Sequence, residues 1–388
     1  MGPELTSVYS NAYNPSMATS LISSGSLTKR ALRQAVRVFD VAATPYGVDR
    51  YVELVRPSWS STEVRAKVVG VSRTTDRSVT LTLRPNGNWH GFRAGQYTQL
   101  SVEIDGVRHT RCYSMTNAAT EGGGRIELCI TAQPEGRVSQ HLLRTARRGQ
   151  TVALTRAQGI FTLPDVEPEH LLLISGGSGI TPVMSMLRTR CALGWTKPVT
   201  FLHYALTASD MLYRDELQAM ADTSPNVRPI RVFTDQPGTG DLDGFLSAAQ
   251  LDGAGIAWTA AEAFVCGPTP LMDSARSLFD QANRGDHLHT EVFTLTQFAA
   301  EAGTVDGAVR FAESEIGRES DGTPLLQQAE AEGLKPLHGC RMGICHTCTR
   351  QLHAGVVRDI VTGELTNGPD VHIRICVSVP VGDVEIDL

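Results

Sequence analysis

The chain is 388 residues long, more than one compact core needs and enough for two to four domains. With 41% hydrophobic and 20% charged residues it is ordinary for a globular protein; no apolar run could span a bilayer, and the N-terminus lacks the layout of a secretory signal, so a cytoplasmic protein is expected. The formal charge of −6 comes from residues 306–388, where 13 acidic residues face 7 basic ones, a balance that argues against nucleic acid and suits a basic protein partner.

Residues 1–25 are rich in Ser, Asn, Pro and Gly. From Leu27 to Val41 an apolar stripe of Ala31, Leu32, Ala35, Val36 and Phe39 is ringed by Lys29, Arg30, Arg33 and Arg37. Such a basic amphipathic helix can lie on a membrane surface or pack on the neighbouring domain. Residues 1–58 therefore read as an N-terminal extension. Over 59–165 the sequence reads as short strands (63–71, 78–84, 97–104, 125–132, 151–155) separated by turns, with one helical stretch near 139–145. That rhythm predicts an antiparallel β-barrel. Over 166–294 strands at 171–175, 199–204, 227–233 and 263–265 alternate with helices at 182–193, 211–221, 243–250 and 270–281. That alternation predicts an α/β domain with a parallel sheet. Residues 295–305 read as a linker. Residues 306–388 mix two early strands, a helix at 324–332, a cysteine loop and closing strands near 372–377 and 383–386.

Four of the eight cysteines fall in this last module. Cys340, Cys345 and Cys348 are spaced C-x4-C-x2-C, with Cys376 further on. In a chain without an export signal such a cluster points to a metal rather than to disulfides. Two irons bridged by two sulfides need four thiolates from a tight loop and one remote strand, and this spacing is that of a plant-type [2Fe–2S] site. Zinc is the competing reading, although its sites usually come as two close pairs. Gly343 lets backbone N–H groups approach the sulfurs. Over 306–388 the chain closely resembles plant-type [2Fe–2S] ferredoxins, which implies a β-grasp (α+β) fold with Cys340, Cys345, Cys348 and Cys376 as ligands.

Upstream, Gly176, Gly177 and Gly179 sit between a strand and a helix, where backbone can approach a pyrophosphate; a tight structural turn is the alternative. A second strand-to-helix turn carries Cys266, Gly267 and Pro268. The pair resembles the pyridine-nucleotide domain of the ferredoxin–NADP reductase superfamily. The resemblance implies that Gly176, Gly177, Gly179 and Thr181 cradle NADH or NADPH while Cys266, Gly267 and Pro268 face the nicotinamide.

In the barrel region, Arg111, Tyr113 and Ser114 offer a phosphate fork, a flat ring and a hydroxyl. Gly136, Val138 and Ser139 open a helical stretch, a second phosphate-ready terminus. These, with the segment from Gly95 to Tyr97, resemble the flavin domain of the same superfamily. By that resemblance Arg111, Tyr113 and Ser114 hold the flavin, and Gly136, Val138 and Ser139 close over its pyrophosphate. Glu291 and Phe293 end the nucleotide domain as in relatives whose final acidic and aromatic residues approach the flavin; a plain terminal strand is the competing reading. Cys266, Ser114 and Glu291 are thus the candidate catalytic groups. FAD is the expected flavin and FMN the alternative.

No paired carboxylates or nucleophile elbow suggest covalent chemistry, so the cofactors carry the reaction. The module order flavin, nicotinamide, ferredoxin is similar to that of phthalate dioxygenase reductase-like proteins. The segments 339–348, 382–388 and 51–59 are similar to actinobacterial reductases that serve membrane diiron fatty-acid desaturases. The resemblance implies a monomeric reductase passing single electrons to such a desaturase or hydroxylase, with peripheral contact at the inner membrane face. A soluble Rieske oxygenase or a cytochrome P450 is the alternative acceptor, and an iron–sulfur redox sensor is the alternative of another class. Leu206 and Asp235 stand where NADPH-dependent relatives carry arginine, which favours NADH.

Overall fold

A computed structural model of the chain describes residue 60 and residues 63–120, 124–134, 136–292, 307–339, 341, 343, 346–360 and 363–388. The expected N-terminal helix, the 295–305 linker, Phe293, Cys340 and Cys345 lie outside these residues.

The first unit is built from six strands: β1 (Val64–Thr75), β2 (Ser78–Pro85), β3 (Tyr97–Ile104), β4 (Val107–Ser114), β5 (Ile126–Thr131) and β6 (Thr151–Leu154), with buried residues alternating most clearly along the start of β1 and in β6. They form one antiparallel sheet in the order β4-β3-β6-β1-β2-β5. The sheet curls until its ends meet: Met115 bridges Leu128, and the Thr116 N–H donates to the Glu127 carbonyl at 2.9 Å. Inward residues such as Ala66, Leu81, Leu100, Leu128 and Ile130 fill the barrel and are fully buried. Helix α1 (Arg137–Thr145) packs Val138 and Leu142 onto that core.

The second unit follows a different period. Strands β7 (Leu171–Gly176), β8 (Val199–Ala205), β9 (Val227–Phe233), β10 (Glu262–Gly267) and β11 (Leu288–Val292) lie parallel in the order β11-β10-β7-β8-β9. Strands β7 and β8 are buried along their whole length, as strands covered on both faces must be. The covering helices are α2 (Ile180–Ala192), α3 (Arg214–Thr223), α4 (Ala248–Gly253) and α5 (Thr269–Gln281). Two apolar clusters sandwich the sheet. One of them, which includes Leu173, Phe201 and Phe264, also takes in Ala94, Cys129, Phe161 and Leu163 from the barrel region.

Two helices begin later than the sequence pattern suggests. The predicted 211–221 helix starts at Arg214, because Tyr213 adopts a left-handed conformation (φ 56°) that no helix continues through. The predicted 243–250 helix starts at Ala248, where the Ser247 hydroxyl accepts the Gln250 N–H as an N-cap; Asp243 instead accepts the Gly238 N–H.

The C-terminal module places β12 (Ala308–Phe311) parallel to β19 (Val384–Ile386), in a five-stranded sheet with β13 (Ile316–Glu319), β14 (Thr349–Ala354) and β17 (Val371–Arg374). Helix α6 (Leu325–Ala331) buries Leu325, Leu326 and Ala329 in the same core as Phe311 and Ile386. A small sheet of β15 (Val356–Asp359), β16 (Leu365–Asn367) and β18 (Ser378–Pro380) completes the β-grasp arrangement.

Candidate redox site

The pairing of β3 with β4 sets Ser114 opposite Tyr97 and Tyr113 opposite Thr98. Ser114 is buried, and its hydroxyl has no hydrogen-bond partner among the described residues. Burial pushes the Tyr113 phenol upward, so it stays neutral. Arg111, two residues before Tyr113, pairs with no carboxylate among the described residues; burial, and secondarily the charge of Arg341, pull its guanidinium below the usual range. A partly buried cation without a counter-ion suits an anionic ligand. Gly136 stands at the N-terminus of α1, where no side chain among the described residues caps the helix. A Cβ there would meet the Ser139 hydroxyl at 2.3 Å, so a larger residue would have to displace that hydroxyl from its bonds to Gln133 and Gly136.

The two turns at the carboxyl ends of β7 and β10 are packed backbone on backbone. A Cβ on Gly179 would lie 2.1 Å from the Cys266 carbonyl oxygen, and one on Gly267 would lie 2.9 Å from the Gly176 nitrogen. Gly177 has φ 54° and nothing within 4 Å of where its Cβ would be, so its backbone faces open space. The Thr181 hydroxyl donates to the Ser178 carbonyl at 3.1 Å, holding the turn to the first residues of α2. A cleft of about 650 Å³ opens here, lined by Gly176, Gly177, Gly267 and Pro268 on one wall and by Arg77 and Gln133 of the barrel unit on the other.

Glu291 on β11 is the register partner of Cys266 on β10. Burial raises the Glu291 carboxyl to about 8, and one of its oxygens has no partner among the described residues. Burial, then the nearby Glu291, pushes the Cys266 thiol well up. Both groups are therefore protonated at neutral pH. Gly159 (φ 104°) ties this pair to the barrel: a Cβ on it would lie 3.1 Å from the Tyr97 ring and 3.9 Å from a Glu291 carboxylate oxygen. Ser114, Tyr97, Gly159 and Glu291 are thus linked step by step through three remote segments.

Sequence reasoning missed Gly159 and the continuation of the Cys266 row. Cys266 is in register with Ser175, and Ser175 with His203. The Ser175 hydroxyl and His203 Nδ1 share a hydrogen bond of 2.8 Å, and burial pulls His203 down to about 4, leaving it neutral. The available signal was Ser175 in an otherwise apolar buried strand and His203 in a neighbouring buried one.

Of the predicted cluster ligands, Cys348 and Cys376 are described, and both are buried. The Gly343 N–H donates to Cys376 Sγ at 3.3 Å, the kind of contact a thiolate ligand uses. Gly343 has φ 73°, and a Cβ would press on the Val377 methyls at 2.9 Å. Arg374 anchors this loop from beneath, donating to the Gly343 carbonyl and to Asp359, each at 2.6 Å. Arg341, itself at φ 59°, is held by Glu330 and His338. These residues fit an iron–sulfur cluster: two buried thiols, an amide aimed at sulfur, and a loop fixed by charge-assisted bonds.

Known families match the three units in turn. Residues 66–162 match the oxidoreductase FAD-binding domain, 173–277 the oxidoreductase NAD-binding domain, and 312–381 the 2Fe-2S iron-sulfur cluster binding domain. An NADPH oxidoreductase of Mycobacterium tuberculosis is 36% identical over 351 residues, covering 89% of this chain and 90% of that one. A glycine betaine monooxygenase reductase subunit of Pseudomonas aeruginosa is 32% identical over 321 residues, covering 76% and 87%. Among solved structures, phthalate dioxygenase reductase shares the fold, with a TM-score of 0.59, 21% identity, and coverage of 84% of this chain and 98% of that one. FAD, a [2Fe–2S] cluster and NAD(P)H are accordingly the cofactors of this enzyme. The chain belongs to the ferredoxin reductase-type oxidoreductases that join FAD-binding, NAD-binding and 2Fe-2S domains in the order of phthalate dioxygenase reductase.

Proposed function

We propose that this NAD(P)H-dependent reductase delivers single electrons to an oxygenase, and that its acceptor is a membrane diiron fatty-acid desaturase or hydroxylase. The single observation behind the first part is the serial arrangement of three redox modules in one chain, shared with a monooxygenase reductase subunit. The desaturase rests on the resemblance of residues 51–59, 339–348 and 382–388 to reductases of that class. Among the described residues no helix is long and apolar enough to cross a membrane, so contact with a membrane acceptor would be peripheral.

Bound FAD supplies the conversion of a two-electron hydride into single electrons, and the cluster supplies a one-electron outlet. The protein's part is alignment and proton control. Arg111, with Gly136, Val138 and Ser139, is assigned to the flavin phosphates, and Tyr113 to the ring. Gly176, Gly177, Gly179 and Thr181 are assigned to the dinucleotide, and Cys266, Gly267 and Pro268 to its nicotinamide end. Ser114 Oγ and the protonated Glu291 carboxyl are the groups able to hold a proton at the reacting end, with Cys266 packed against Glu291. Cys340 and Cys345 are assigned to the cluster beside Cys348 and Cys376. Leu206 and Asp235 place no cation after β8 and β9, which favours NADH over NADPH.

Reconstitution tests the acceptor. NADH-driven turnover of a membrane diiron desaturase is expected; failure with every such enzyme, combined with turnover of a soluble Rieske oxygenase or cytochrome P450, would replace it. The similarity to a glycine betaine monooxygenase reductase subunit supports an oxygenase as acceptor in either case.

A further inference from the structure

The cleft between the barrel and the parallel sheet must admit a ligand with at least two phosphate charges, yet among the described residues its lining contains a single Lys or Arg side chain, that of Arg77. The residue stands on the barrel wall, opposite the glycine turn of β7, in the hairpin joining β1 to β2. Its backbone is fixed at both ends. The Arg77 N–H donates to the Thr75 hydroxyl at 3.3 Å, and its carbonyl accepts the Ala132 N–H at 2.7 Å. The next residue, Ser78, is in register with Thr131 of β5 and shares a hydroxyl–hydroxyl bond of 2.9 Å with it. From that rigid base the guanidinium is exposed to the cleft, and no carboxylate pairs with it among the described residues. The one acidic side chain of the lining among the described residues, Asp210, already accepts a hydrogen bond from the Thr207 hydroxyl at 2.6 Å.

We propose that Arg77 is the barrel's phosphate anchor for the nicotinamide dinucleotide, closing the cleft over a ligand whose other side rests on the glycine turn. The inference rests on the reductase reading above and adds to it a residue from the flavin-binding unit. The backbone amides of the glycine turn can offer only partial charges, so a full positive charge on the facing wall supplies the complementary half. It also makes dinucleotide affinity depend on how the two units are set against each other.

The test uses the full-length, FAD-loaded protein and two ligands without the nicotinamide, ADP-ribose and its 2′-phosphate, titrated by calorimetry. Arg77→Ala is expected to weaken binding about tenfold or more, with Arg77→Lys retaining part of the affinity. FAD content and thermal midpoint should stay at wild-type values, since the guanidinium supports no described contact. Equal loss for both ligands places Arg77 on the pyrophosphate, and loss confined to the second places it on the 2′-phosphate. Unchanged affinity of Arg77→Ala for both ligands would overturn the inference while leaving the reductase reading intact. A wild-type protein that bound neither ligand and took no hydride from NADH or NADPH would overturn both.

Discussion

Glu291, proposed above for the reacting end, illustrates how burial alone sets the state of a carboxyl. Raised from 4.5 to about 8, its carboxyl keeps its proton in the folded chain across a range where the unfolded chain has lost it. The sign follows by linkage: the folded state binds the extra proton, so Glu291's contribution falls as pH rises from about 4.5 to about 8 and is level above. In flavin-free protein, denaturation midpoints measured across this window should fall more steeply for wild type than for Glu291→Gln, and an identical slope in the two would refute the assignment. Gly179 is constrained by space rather than charge. Its α-carbon approaches the Cys266 carbonyl so closely that Gly179→Ala must part the two turns, at a cost of about 3 kcal/mol. Urea unfolding would measure that loss, together with weakened dinucleotide binding.

At the scale of single elements, the cluster loop depends on β17. Arg374 joins the Gly343 carbonyl to Asp359, so the loop that aims an amide at Cys376 is tied to β15. Arg374→Ala should leave the fold intact but hasten cluster loss about tenfold or more, read as bleaching of visible absorbance and release of iron. An unaltered bleaching rate would mean the loop holds its shape without that tie. Elements whose chemistry is local were legible in the sequence: the cysteine spacing, the glycine turn after β7 and the strand–helix alternation each sit within a few residues. Strands β14 to β16 were not. Thr349–Ala354 buries only Leu352 fully, so its alternation carries almost no apolar signal. Nor was the meeting of Ser114, Tyr97, Gly159 and Glu291 legible as geometry. Their closeness is produced by pairing between strands far apart in sequence, which no local pattern encodes.

Across the whole molecule, the barrel and the parallel sheet are fastened by Arg188 of α2. Its guanidinium reaches Glu127 of β5 at 2.6 Å, Glu216 of α3 at 2.7 Å and the Thr116 carbonyl at 2.9 Å, and lies over the Tyr213 ring. The Ser185 hydroxyl donates to the Asn117 carbonyl, and the Ala119 N–H to the Thr189 hydroxyl, along the same seam. Arg188→Met should leave two carboxylates facing each other and cost about 3 kcal/mol, seen as a lower thermal midpoint. Glu127→Gln on that background should recover part of the loss; if it deepens the loss instead, the clamp is not electrostatic.

Polar fastening is only half of that seam, because Phe161 and Leu163 are buried among the side chains of α2 and β7. The C-terminal module, by contrast, closes around an apolar core whose described residues all come from the module itself. A recombination event that exchanged the barrel would have to recut a shared apolar interior, while one that exchanged the ferredoxin module would cut none. The hydride-accepting half of such a chain is therefore inherited as one block, and its electron outlet is the piece free to be traded for another.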